Sequence, residues 1–122
     1  MAKRVLIVDD EPDVVKFIGI RIKQAGYETL SAYDGQQCLD MVKKEKPDLI
    51  ILDLMLPKVD GYKVCGMLKH DGRYKDIPVI MLTALGSDTD KKLGYECGAD
   101  AFITKPYQHE EVAAKIKELL KE

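Results

Sequence analysis

The chain has 122 residues, 46% of them hydrophobic and 33% charged, the make-up of one globular unit with a real core. A net charge of -2 supplies no basic excess for nucleic acid, and no apolar run approaches the roughly 20 residues that cross a bilayer. The cysteines, Cys38, Cys65 and Cys97, are widely spaced and lack a CxxC pair, which suggests neither a disulfide framework nor a zinc site.

In chain order, VLIV sets a strand over Arg4–Asp9. The run is shorter than the apolar core of a signal peptide, about 7–15 residues, and acids follow at once; the chain reads as cytoplasmic. VVKFIGIRIKQAG has helical period, with Val14, Phe17, Ile18, Ile22 and Ala25 on one stripe and Gly26 as its terminating glycine. Tyr27–Ala32 reads as the second strand. Asp34 is the N-cap of a helix that carries Cys38, Leu39 and Val42 and stops before Pro47. Asp48–Asp53, built on LIIL, is the third strand, and LPKVDG after it has loop composition. A third helix covers Tyr62–Leu68, and a fourth strand Pro78–Leu82. Ser87 or Asp88 caps a fourth helix that ends at Gly98. Ala101–Thr104 is the fifth strand. The last helix, His109–Leu120, turns Val112, Ile116, Leu119 and Leu120 inward.

Five strands alternating with five helices imply one domain over residues 1–122, an α/β fold with a doubly wound five-stranded parallel sheet. Two strand orders are common for such folds; the flavodoxin-like order 2-1-3-4-5 is the one expected here, and in it the first and third strands flank the topological switch where ligands bind. Those are the strands that end in Asp9, Asp10 and Asp53. Three carboxylates at one sheet edge cannot all stay ionised unless some are protonated or a cation sits among them. A Mg²⁺ ion suits such oxygens. Asp10 and Asp53 are its direct ligands in this reading, the backbone carbonyl of Met55 adds another, and Asp9 holds a coordinated water. Asp53 doubles as a nucleophile, since aspartyl phosphates are known covalent intermediates. The fourth strand ends in Thr83 followed by Ala84, and the fifth leads to Lys105 and Pro106. Thr83 and the Ala84 amide are placed to donate to phosphoryl oxygens, and Lys105 to neutralise their charge. Singly, each residue reads as a turn former, a cap or a solvated side chain. The signal is their shared register at the ends of four strands.

These stretches, VLIVDDEPD, DLIILDLMLPKVDGY, IPVIMLTA and GADAFITKPY, resemble the receiver (CheY-like) domain of two-component response regulators, in the family's order and over essentially the whole chain. The resemblance implies a phosphorylation-activated switch in which Asp53 accepts a phosphoryl group from a histidine kinase's phosphohistidine with Mg²⁺. It implies a conformational hydroxyl at Thr83, a switch aromatic at Phe102 and a cis peptide at Lys105–Pro106. The partners it implies are a sensor histidine kinase or a histidine phosphotransfer protein, and a downstream protein target or output domain reached through the face of the fourth helix, fifth strand and fifth helix. Ala101 and Lys115 depart from the charged residues of family members that dimerise through that face, although Lys91 and Glu111 can still pair. The expected state is a monomer or a weak phosphorylation-dependent dimer. No helix-turn-helix, catalytic domain or linker follows Leu120 in this sequence; if this is the whole protein the expected output is binding, and if it is a fragment the output domain lies out of view. Apolar Met55 and Leu85 offer nothing to orient an attacking water, so slow self-dephosphorylation is expected, with no turnover of external substrates.

Three rival readings remain. A Mg²⁺-dependent phosphatase or phosphotransferase with an Asp nucleophile wants a second acid two residues on, and Asp53-Leu54-Met55 lacks it. A flavin binder needs a phosphate-cradling loop where this chain has DDEPD. A phosphorylation-independent interaction module does not need the full Asp/Asp/Asp/Thr/Lys set.

Overall fold

The computed structural model describes residues 2–122. The strands are β1 (Arg4–Val8), β2 (Glu28–Ala32), β3 (Leu49–Leu52), β4 (Val79–Thr83) and β5 (Ala101–Thr104). They alternate with the helices α1 (Pro12–Gln24), α2 (Gly35–Glu45), α3 (Gly61–Lys69), α4 (Asp88–Glu96) and α5 (His109–Leu120). The sheet is parallel throughout, in the order β2-β1-β3-β4-β5. The doubly wound fold and its strand order are therefore as expected.

Both faces of the sheet are covered, which is why the strands read as unbroken apolar runs. Leu6, Val8, Ile50, Leu52, Val79 and Met81 point to one face, beneath Cys38 and Val42 of α2 and Val64, Cys65 and Leu68 of α3. Val5, Ile7, Leu49, Ile51, Ile80 and Leu82 point to the other, against Val15, Ile18 and Ile22 of α1 and Val112 and Ile116 of α5. Burying a side chain of that size contributes about 1.5–3 kcal/mol, so the central strands fix where their carboxyl ends sit.

Several boundaries shift from expectation. Asp9 and Asp53 lie just beyond β1 and β3, although their amides still join the ladder: Asp9 N–H donates to the Ala32 carbonyl at 3.3 Å and Asp53 N–H to the Val8 carbonyl at 3.0 Å. Thr83 is the last residue of β4, not its successor. The inward face of α1 is Val15, Ile18, Gly19 and Ile22; Phe17 and Ala25 are exposed, which corrects the predicted stripe. Gly19 sits on this buried face, beside Ile7 of β1. Asp34 caps α2 as expected, accepting from the Gln37 amide at 2.7 Å. Asp60 caps α3, accepting from the Lys63 amide at 3.0 Å, and Ser87 caps α4. Gly26 and Gly98 both have φ of +102°, the left-handed region that ends α1 and α4.

Candidate functional site

The carboxyl ends of β1, β3, β4 and β5 converge on one buried patch. Asp9 is 3% exposed, Asp53 8% and Thr83 0%. Buried charges of one sign need a counter-charge, and Lys105 supplies it. Its Nζ donates to Asp9 Oδ2 at 3.0 Å and to Asp53 Oδ2 at 3.2 Å. Burial works against the ammonium, but the hydrogen bond to Asp9 and the charges of Asp53 and Asp9 outweigh it and hold the lysine above its usual pKa.

The other carboxylate oxygens are used locally. Asp9 Oδ1 accepts from the Glu11 amide at 3.0 Å, and Asp53 Oδ1 from the Met55 amide at 3.0 Å. These two-residue turns aim the carboxylates at the cleft. Behind Asp53, Gly61 lies against its carbonyl and that of Leu54: an added Cβ would strike the Asp53 carbonyl oxygen and come within 2.6 Å of Leu54 Cα. The Gly61 amide donates to the Leu54 carbonyl at 3.0 Å. The missing side chain thus lets α3 start hard against the loop that follows β3.

On the far side of the cleft, the Thr83 hydroxyl accepts from the Leu85 amide at 3.3 Å. Ala84 is exposed beside it. Lys105 is carried into place by its amide, which donates to the Thr83 carbonyl at 2.8 Å, and the Lys105–Pro106 peptide is cis as expected. Phe102 on β5 is half-buried, its ring centroid 6.5 Å from that of Tyr95. Gly94 of α4 packs directly over it: an added Cβ would lie 2.9 Å from both the Phe102 ring and Met81 Sδ.

A hard cation has oxygens to bind here. Carboxylate oxygens of Asp9, Asp10 and Glu11 lie within 4.8 Å of one another, and among the described residues no hydrogen bond is made to the Met55 carbonyl. That triplet contains Glu11, which sequence reasoning passed over although it directly follows the acidic pair. It does not contain Asp53, whose free edge is taken by Lys105. Asp10 itself is exposed. Lys91 and Glu111 are both exposed and, among the described residues, are not paired with each other; Lys115 pairs instead with Glu118 at 2.8 Å.

Comparison with known proteins fits this geometry. Residues 5–117 match the family model described as the response regulator receiver domain. The DNA-binding dual master transcriptional regulator RpaA of Synechocystis is 48% identical over 118 residues, 97% of this chain and 49% of that protein. The alkaline phosphatase synthesis transcriptional regulatory protein PhoP of Bacillus subtilis is 43% identical over 121 residues, 99% of this chain and 50% of its own length. The chain thus spans about half the length of these curated relatives. A putative response regulator from Chloroflexus aurantiacus superposes with a TM-score of 0.94 at 34% identity, covering 100% of both chains.

Proposed function

We propose, for a chain that belongs to the response regulator receiver domain family, that its signalling switch is thrown by phosphorylation of Asp53. The observation that carries the reading is the ammonium of Lys105 spanning Asp9 and Asp53, with Thr83 at the end of the neighbouring strand. In the transfer, an Asp53 oxygen bonds to phosphorus as the histidine N–P bond breaks, and the leaving nitrogen keeps the electron pair. Lys105 is within reach of the incoming charge. The Thr83 hydroxyl at the end of β4 and the Ala84 amide just after it are the donors.

The oxygens present fit Mg²⁺, with Asp10, Asp53 and the Met55 carbonyl as ligands and Asp9 acting through a water. Glu11 joins this set as a further neighbour. When bound, the ion would neutralise phosphoryl charge; the chain's own part is to orient Asp53 through the Met55 amide and to position Lys105. Phe102 of β5, packed under Gly94 of α4, is the ring that responds when Thr83 moves. The phosphodonor is a sensor histidine kinase or histidine phosphotransfer protein. Phe17, 58% exposed, borders a groove of about 550 Å³ beside Lys105 and Pro106, an apolar landing next to the acceptor. Output passes to a downstream protein target or to an output domain. Among the described residues no helix is long and apolar enough to cross a membrane. On this reading the switch is cytoplasmic and turns over no external substrate.

The test is intact-mass spectrometry of wild type and Asp53→Asn after incubation with acetyl phosphate, with and without Mg²⁺. One phosphoryl adduct that needs both Mg²⁺ and Asp53 is expected. An adduct that persists in Asp53→Asn would move the acceptor elsewhere.

A further inference from the structure

Side chains tie the start of α3 to the start of α4. The Tyr62 hydroxyl donates to Asp90 Oδ1 at 3.1 Å and lies 3.2 Å from the Asp90 carbonyl oxygen. The other oxygen of the same carboxylate belongs to the cap of α4. Ser87 Oγ donates to Asp90 Oδ2 at 2.7 Å, and the Asp90 amide donates back to Ser87 Oγ at 3.0 Å. Desolvation and the bond to Asp90 push the Tyr62 phenol up to about 12, while the Ser87 hydroxyl holds the Asp90 carboxyl below its usual range. Donor and acceptor therefore keep their roles at neutral pH.

The placement of this bond is what gives it meaning. Tyr62 directly follows Gly61, which is pressed against the backbone of Asp53 and Leu54. Asp90 rides on α4, which hangs from Thr83 by the short stretch Ala84–Ser87. The two strands are themselves paired, Leu52 with Met81. A closed ring results: β3, the loop after Asp53, Tyr62, Asp90, the loop before α4, and Thr83. Most links in that ring are backbone or buried packing. The Tyr62–Asp90 bond is a side-chain contact reachable by water, so it is the link that gives when the ring is pulled.

We infer that the Tyr62–Asp90 hydrogen bond is a latch that holds α4 in its resting place and opens when Thr83 follows a phosphoryl group on Asp53. The inference rests on the phosphoacceptor reading for its trigger, and on the geometry alone for the latch. A latch of this kind stabilises only the resting state. Its loss raises the fraction of molecules with α4 displaced and tightens any ligand that prefers that form. One hydrogen bond of ordinary net strength changes the ratio of states by about 2- to 10-fold.

Tyr62→Phe keeps the ring and its packing and deletes the hydroxyl. Without any ligand, hydrogen exchange at the amides of Lys91, Lys92 and Leu93 should rise about 2- to 10-fold while α5 is unchanged. With Mg²⁺ and beryllofluoride, a phosphoryl mimic, the apparent affinity should tighten by the same factor. Simple structural damage predicts the opposite sign, weaker binding. Unchanged exchange in α4, or weakened beryllofluoride binding, overturns the latch. If wild type fails to bind beryllofluoride at all, the phosphoacceptor reading falls instead, and the exchange data still decide whether α4 is latched.

Discussion

Replacing Lys105 with methionine strips the counter-charge from two buried carboxylates while keeping the length and apolar stem of the side chain. Nζ lies 3.0 Å from Asp9 and 3.2 Å from Asp53. At an effective dielectric of about 20, each attraction is about 5 kcal/mol, most of it offset by the cost of desolvating the three groups. Removing one partner of a buried pair costs about 3–5 kcal/mol. The Lys105 side chain is 25% exposed, so water screens part of the loss and about 2–3 kcal/mol is expected. The chain has no Trp, so unfolding in urea is followed by far-UV circular dichroism. Lys105→Met should unfold at distinctly lower urea in a Mg²⁺-free buffer. Saturating Mg²⁺ should narrow the difference: at 100 times its Kd an ion adds about 2.7 kcal/mol, and the variant gains more than wild type to the extent that it binds the ion more tightly once no ammonium competes for Asp53. If the variant matches wild type without Mg²⁺, the ammonium is not what keeps these carboxylates buried. If Mg²⁺ stabilises both proteins equally, Lys105 and the ion do not share the site.

Gly61→Ala should lose about 1–3 kcal/mol in the same urea assay, since its Cβ would meet backbone that cannot swing aside, and acetyl phosphate should label it more slowly than wild type. Autodephosphorylation should be slow, because Met55 at 60% exposure is apolar at the mouth of the cleft; a phosphoryl half-life of seconds, measured by intact mass, would contradict this. Aromatic disulfide reagents should modify Cys97 in the native protein and reach Cys38 and Cys65 only on unfolding, as burial pushes both of the latter thiols up to about 12. Tyr27 donates to Glu122 at 2.7 Å, and burial with this bond raises its phenol from 10.0 to about 12. The folded state therefore holds that proton more tightly than the unfolded state, and the stability gained is complete below pH 10.0 and is lost as pH rises toward about 12. Urea melts between those limits should fall less steeply with pH in Tyr27→Phe.

The alternation of apolar runs and helical periods was enough to place ten elements, because a strand buried on both faces leaves an unmistakable run and a capped helix announces its start. The phase of α1 was not legible. Val14, Val15, Phe17, Ile18, Ile20 and Ile22 offer more apolar residues than one face can hold; in the fold Gly19 lies inward beside Ile7, and Phe17 is turned out under the Arg21 guanidinium at 5.6 Å. A hydropathy stripe cannot count a glycine as core. Asp60 was legible and missed: an Asp three residues before a free amide is the cap signal already used for Asp34.

The acidic residues at the strand ends could be read because register in a parallel sheet carries chain position directly into space. What register does not carry is where a long side chain goes. Lys105 lies one residue beyond β5 and is expected beside a phosphoryl group; what AFITKPY does not say is that its ammonium reaches across β4 to Asp53 after β3 and Asp9 after β1. That reach is dictated by charge: the sheet brings the Asp9 and Asp53 carboxylates close in a place only 3% and 8% exposed, and the nearest flexible cation is drawn to them. On the proposed reading a divalent ion would answer the same demand, and the residue that stabilises the resting site would then compete with it for Asp53.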